Sequence, residues 1–247
     1  MSGQANPYDA WADLMSLWEP YADDIDVAYY VRAAAELGGP SVELGIGYAR
    51  VAEHVKPAYG VDSSPVMIAR AQPRVPETVL IESDLAEYAL PGTVRLAYAP
   101  LNTFDSVPGD DAMRAALRRT WEQTEPGGRL VFDGMIPDLP RSLRDNRRVE
   151  LSIIDATIAI QTAETVVDRA TGELEMTAIV DELDPDGRVT GRRYFPPHRI
   201  RPRSPEQWEA LLLETGWEPL ERWGGFDGEP LDPDGLQQVW VAERRES

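Results

Sequence analysis

The stretch SVELGIGYARVAEHV, residues 41–55, puts a short apolar strand pattern ahead of two glycines and a helix-like run. Glu43 stands two places before Gly45, and Gly47 follows two places after it. A carboxylate beside two positions without side chains suits a nucleotide-like ligand lying across the end of a β-strand, because glycine lets a ligand approach the backbone. A tight turn with no ligand is the plainer reading, since glycine turns after strands are common.

The flanking sequence favours an α/β arrangement. Upstream, residues 9–21 carry Trp11, Leu14, Met15, Trp18 and Tyr21 at helical spacing, which gives one apolar face. Asp23 and Asp24 can cap a second helix, IDVAYYVRAAAEL, that stops at Gly38-Gly39-Pro40. Downstream, YARVAEHV reads as a helix, AYGVD as a second strand, SPVMIARAQ as a helix and TVLIESD as a third strand. VRLAYAPLN, DDAMRAALRRTWEQT and GRLVFDG continue as strand, helix and strand. Such alternation predicts a parallel sheet covered on both faces. From about residue 150 to 195 the chain turns rich in Ile, Val and Thr, broken by ATGE and DPDG, which read as hairpin turns of an antiparallel insertion. SPEQWEALLLETG is a capped helix, and WEPLERW and LQQVWVAE are closing strands.

Composition narrows the function. The 247 residues are 43% hydrophobic, enough for a sizeable core. No apolar run is long enough to span a membrane, and the N-terminal stretch has neither a basic start nor an apolar signal core, so a cytoplasmic location is expected. Zero cysteines exclude a thiolate metal site, and only two histidines, His54 and His198, leave little material for a histidine-rich one. A formal net charge of −19 argues against a nucleic-acid partner. The single lysine, Lys56, sits beside a proline and is a poor Schiff-base candidate.

In open α/β sheets ligands bind at the carboxyl ends of the strands, near the switch in strand order. Glu43 closes the first strand, Asp62 the second and Asp84 the third, and Asn102 follows the fourth. Asp62, 19 residues beyond Glu43, is placed to accept from both ribose hydroxyls, and Asp84 with the Leu85 amide can read an adenine edge. A nicotinamide fingerprint would have a third glycine where Arg50 stands. The additional acid at Glu43 points to a cofactor with a positive group in this corner, such as the α-ammonium of S-adenosylmethionine.

VELGIGYARVAEHV, YGVDSSPVMIARA, IESDLAEY and PGGRLVFD, taken in that order, resemble class I S-adenosylmethionine-dependent methyltransferases over about residues 40–135. Weaker similarity, in the N-terminal helices and the β insertion, is to small actinobacterial enzymes that N-methylate amino sugars and peptides of natural products. The resemblance implies a doubly wound, mostly parallel seven-stranded sheet with an N-terminal helical lid and an antiparallel β insertion after strand five. Its boundaries would be a lid at 1–39, a cofactor-binding core at 40–140, an acceptor flap at 141–203 and closing elements at 204–247. By the same resemblance Glu43, Gly45, Gly47 and Tyr48 face the methionine portion of the cofactor. Asp62 takes the ribose, Asp84 and Leu85 take the adenine, and Ser63, Met67 and Pro100 complete the contacts. The product would be S-adenosylhomocysteine.

Two departures stand out. The family has a small residue and then glycine where this chain has Tyr48-Ala49, and strand four ends in APLN, not in the run used by enzymes acting on planar amides and nucleobases. Tyr21, Asn102, Asp133 and His198 are the candidates for acceptor contact, although His198 also reads as a packed histidine, as does His54. Arginines at 141, 144, 147, 148, 192, 193, 199, 201 and 203 flank the insertion and suit an anionic acceptor, or form a solvated face. The expected function is methyl transfer to an amine of a small molecule or peptide, with monomer and homodimer both open. The alternatives are O-methylation of a hydroxyl or carboxyl, and a fold relative that binds the cofactor without transferring a methyl.

Overall fold

In a computed structural model of the chain, described for residues 6–19, 24–137, 147–155, 157–232 and 235–245, the strand at the head of the glycine stretch is buried at all four positions. In chain order, α1 (Pro7–Trp18) and α2 (Ile25–Leu37) precede this strand, β1 (Ser41–Leu44). There follow α3 (Ala52–Val55), β2 (Tyr59–Asp62), α4 (Pro65–Ala71), β3 (Val79–Glu82), β4 (Val94–Ala99), a 3₁₀ turn (Thr103–Ser106), α5 (Gly109–Gln123) and β5 (Thr124–Met135). The insertion holds β6 (Arg147–Asp155), β7 (Ile158–Asp168), β8 (Glu173–Leu183) and β9 (Val189–Ile200). The chain closes with α6 (Pro205–Glu214), β10 (Trp217–Trp223) and β11 (Gln237–Arg244).

The large sheet has the order β10-β11-β5-β4-β1-β2-β3, with β11 antiparallel to both neighbours and the remaining pairings parallel. This is the mostly parallel seven-stranded sheet that the family resemblance implies. The chain leaves β1 towards β2 and β3, then returns to lay β4 and β5 on the other side. The switch in strand order therefore falls between β1 and β4, where Glu43 pairs with Tyr98.

The chain divides into two compact units, residues 23–137 with 202–247 and residues 1–22 with 138–201. In the large-sheet unit, Val27 and Tyr30 of α2 pack on Leu96, Tyr98, Val131 and Val241. Met113, Leu117, Trp208 and Leu212, from α5 and α6, pack in a second core with Val42, Leu44, Leu130 and Phe132. Full burial of each such side chain contributes about 1.5–3 kcal/mol. Ser204 and Gln207 form a reciprocal capping box that starts α6.

In the other unit the four insertion strands form an antiparallel sheet, β6-β7-β8-β9. The turn glycines Gly172 and Gly187 have φ of 75° and 77°, a region where a side chain is strained. Asp168 and Asp184 accept the amides of Ala170 and Asp186 across these turns. Trp11 and Leu14 of α1 pack on Ile160, Ala178, Val180 and Phe195, and the Trp11 indole donates to the Pro196 carbonyl at 2.7 Å.

Two local expectations change, and others fall on residues outside the described set. The helix expected over YARVAEHV shrinks to the single turn α3, because Gly47 and Ala49 adopt positive φ and hold the chain out of helix. Asp24 occupies the N-cap of α2 without a side-chain capping bond, its carboxylate lying 3.7 Å from Arg50 instead, and Asp23 lies outside the described residues. Tyr21 and the Trp18 side chain also lie outside them.

Candidate functional site at the strand switch

The loop after β1 alternates left-handed residues: Gly45, Gly47 and Ala49 have φ of 68°, 54° and 68°. Gly45 is required by a neighbour, since a Cβ there would lie 2.5 Å from Thr103 Cγ2. Gly47 is different, because a Cβ there would meet nothing closer than the Gly45 carbonyl at 3.9 Å. The loop therefore presents one bare backbone position to open space. Ala49 occupies a conformation in which a Cβ costs roughly 1–2 kcal/mol.

Asp62 shapes this loop directly. Its Oδ2 accepts the Gly47 amide at 2.8 Å, and its Oδ1 accepts the Ser64 amide at 2.8 Å. Both oxygens of the carboxylate thus hold backbone amides, one in the loop after β1 and one at the end of β2. Ser64 is the N-cap of α4 and accepts from Met67 N, whose side chain is buried. Ser63 is exposed between these two acceptors.

Glu43 is 2% exposed. Burial pushes its carboxyl up to about 8, the Tyr98 hydroxyl and the Arg50 guanidinium pull it down, and Asp62 and Asp26 push it up. Glu43 Oε2 and the Tyr98 hydroxyl are both buried with no geometric hydrogen-bond partner among the described residues, although the two side chains lie close enough to shift each other's ionisation. A buried carboxylate oxygen left in this state costs free energy until a donor meets it.

Arg50, in the place of a third glycine, is buried and forks onto Asp26 of α2, with Nη1 to Oδ1 at 3.2 Å and Nη2 to Oδ2. Tyr48 is also buried, and the Arg74 guanidinium stands 5.4 Å from its ring centroid. Asp84 is exposed and accepts the Ala86 amide at 2.8 Å, while Leu85 is half-buried against the core.

The loop after β4 forms a second wall, held by Asp133. This residue is 1% exposed and accepts from the Tyr30 hydroxyl at 2.6 Å, the Leu101 amide at 3.0 Å and the Asn102 amide at 2.9 Å. Burial raises its carboxyl to about 6 against these bonds. Leu101 and Asn102 both have positive φ, 56° and 54°, so two successive strained residues are fixed by one carboxylate. Pro100, buried at the head of the loop, accepts from the Thr103 hydroxyl at 2.7 Å. The same Thr103 closes over Gly45.

The structure thus brings Glu43, Gly45, Gly47, Asp62, Pro100, Asn102 and Asp133 to the carboxyl ends of neighbouring strands. His198 lies in the other unit, stacked on Trp11 at 5.0 Å and edge-on to Tyr8 at 5.1 Å, and burial lowers its imidazole to about 4. His54 is exposed. Of the flanking arginines, Arg192 pairs with Asp181 and Arg199 with Glu173. Arg203 is wholly buried, donating to the carbonyls of Phe104 and Gly109, so it does not belong to a surface cluster. Arg141, Arg144 and the side chains of Arg147 and Arg148 lie outside the described residues. Among the described residues no cluster of acids and histidines could hold a metal ion, and no helix is long and apolar enough to cross a membrane.

Sequence reasoning missed Asp26 and Tyr30. Two polar-tipped residues one turn apart, on the helix face that carries Val27, were the available signal, together with the arginine that displaces a glycine.

No protein-family model and no curated protein matches the sequence. Solved structures do match. The CcbJ methyltransferase from Streptomyces caelestis superposes with a TM-score of 0.83 at 24% identity, over 98% of this chain and 99% of that one. An S-adenosylmethionine-dependent methyltransferase from Clostridium acetobutylicum gives 0.79 at 14% identity, over 98% and 100%. The sugar N-methyltransferase KedS8 from a Streptoalloteichus species gives 0.71 at 19% identity, over 100% and 96%. The chain has the class I fold of S-adenosylmethionine-dependent methyltransferases.

Proposed function

We propose that the chain is an S-adenosylmethionine-dependent methyltransferase that acts on an amine of a small molecule or peptide in natural-product biosynthesis. The observation that carries this reading is the buried, unpartnered Glu43 oxygen beside the open face of Gly47. A ligand ammonium supplies the missing donor and the missing positive charge together. A dinucleotide phosphate would bring negative charge to the same corner and leave Glu43 worse off.

When bound, the cofactor supplies a methyl group already activated on a sulfonium. The chain's part is placement. Glu43 would hold the ammonium end, Gly47 would leave the backbone bare for the ligand, Asp62 would accept from the ribose, and Asp84 with the Leu85 amide would meet the adenine edge. Holding a nucleophile in line with the methyl can remove several kcal/mol of the barrier. The acceptor amine would have to reach the methyl as the neutral base, since an ammonium has no lone pair. The product ammonium then loses a proton. Asn102, half-buried beside Asp133, is the proposed acceptor contact in this unit.

A net charge of −19 concentrates cationic amines near the protein and repels anions. The sugar N-methyltransferase among the structural neighbours supports an amine in the same direction. The test is incubation with S-adenosylmethionine and a panel of amino sugars, aminated small molecules and peptides, followed by mass spectrometry. Gain of a methyl with stoichiometric S-adenosylhomocysteine is expected for one amine class. Methylation confined to hydroxyl or carboxyl groups, or binding with no turnover across the panel, counts against it.

A further inference from the structure

Helix α2 contacts both walls of the candidate site through residues one turn apart. Asp26 engages Arg50, which lies just past the glycine loop, and Tyr30 engages Asp133, which fixes the two left-handed residues after β4. The two walls also touch each other, since Thr103 sits where a Gly45 side chain would be. All of these groups belong to one compact unit. Asp26 is 6% exposed and Tyr30 is 0% exposed, so both contacts are shielded from water.

We propose that Asp26 and Tyr30 are positioning residues that hold the glycine loop and the β4 loop at the separation the cofactor requires. The inference rests on the proposed function for its ligand, but the brace is a property of the ligand-free chain as well. Neither side chain touches the cofactor in this scheme. Each acts through a second residue, and the strain at Leu101 and Asn102 is what makes the support necessary. An αL pair of non-glycine residues persists only where its surroundings over-determine it. Removing one of Asp133's three donors loosens that control without emptying the core.

Tyr30→Phe is the cleanest probe, because the ring keeps its contacts with Tyr98 at 5.5 Å and Phe226 at 6.0 Å and only the hydroxyl is lost. Val27→Ala is the control, since Val27 is buried in the same core on the same helix but makes neither of the two polar contacts to Arg50 and Asp133. We expect Tyr30→Phe to weaken S-adenosylhomocysteine binding about three- to tenfold while lowering the melting temperature only modestly. Val27→Ala should lower the melting temperature more while leaving that affinity within about twofold. Asp26→Asn should behave like Tyr30→Phe; where it does not fold, the other two variants decide. Hydrogen exchange on the ligand-free protein should show faster exchange at the Leu101 and Asn102 amides in Tyr30→Phe, and not in Val27→Ala. Affinity loss that tracks melting temperature across the variants, or unchanged exchange at those two amides, overturns the brace. A wild-type chain that fails to bind S-adenosylhomocysteine overturns the proposed function instead, and the exchange measurement then judges the brace alone.

Discussion

The amide of Gly47 donates to Asp62 Oδ2 at 2.8 Å, so the acid that closes β2 also sets the shape of the loop that follows β1. One side chain thereby links two adjacent strand ends, and its carboxylate is the proposed ribose acceptor. Asp62→Ala should accordingly do two things. Loss of hydrogen bonds to a charged acceptor costs about 1.5–3 kcal/mol each, so calorimetry should show at least a tenfold weaker affinity for S-adenosylhomocysteine, with a lowered melting temperature. Unchanged affinity in a folded variant would remove Asp62 from the ribose role.

The three left-handed residues of the loop separate by substitution. Gly45→Ala meets both strain and the Thr103 side chain, and overpacking adds about 1–3 kcal/mol to the conformational cost, so it should be the most destabilising. Gly47→Ala meets strain alone, at about 1–2 kcal/mol, but its Cβ enters the space assigned to the ligand and should lower affinity further. Ala49→Gly relieves strain while losing a buried methyl and freeing the unfolded chain, which nearly cancel, so it should stay within about 1 kcal/mol of wild type. Denaturant unfolding of the three variants checks the order.

Acid should weaken the small-sheet unit through His198. Burial lowers its folded value from 6.5 to about 4, so the unfolded chain takes up the proton first. The contribution is fully present above about pH 6.5 and disappears as pH falls towards 4, up to roughly 3 kcal/mol in all. Calorimetric scans between those values should show a falling transition for this unit in wild type and a flatter one in His198→Phe. A variant with the same acid sensitivity would assign the loss to other groups.

The large sheet was legible because its signals are local. SVEL, YGVD and VRLAYA are short apolar runs with turn residues at their ends, and WEPLERW becomes a strand over its whole length. Glu43 and Asp62 could be placed at strand ends from spacing alone. What remained hidden depends on pairing between distant positions. Asp133 lies 103 residues from Tyr30 along the chain, and no periodicity shows that its carboxylate is held by that hydroxyl and by two amides of the β4 loop. Arg50 was visible as a missing glycine, but its partner on α2 appears only when the helix is packed. Arg203 looked like one member of an exposed cluster because sequence carries no record of burial.

Glu43 offers the most direct measurement. Its folded value of about 8 against 4.5 means that the ligand-free protein keeps a proton that the unfolded chain has lost. This stabilises the fold most below pH 4.5 and fades as pH rises towards 8, with Asp105, also raised to about 8 by burial, adding to the same trend. A bound ammonium favours the ionised carboxylate, so binding must expel that proton. Titration calorimetry with S-adenosylmethionine at pH 7, repeated in buffers of different ionisation enthalpy, should give micromolar affinity with release of close to one proton in wild type. Glu43→Gln should bind more weakly and release none. Proton release that is absent from wild type or persists in Glu43→Gln would contradict the account, as would tighter binding of NADH than of S-adenosylmethionine.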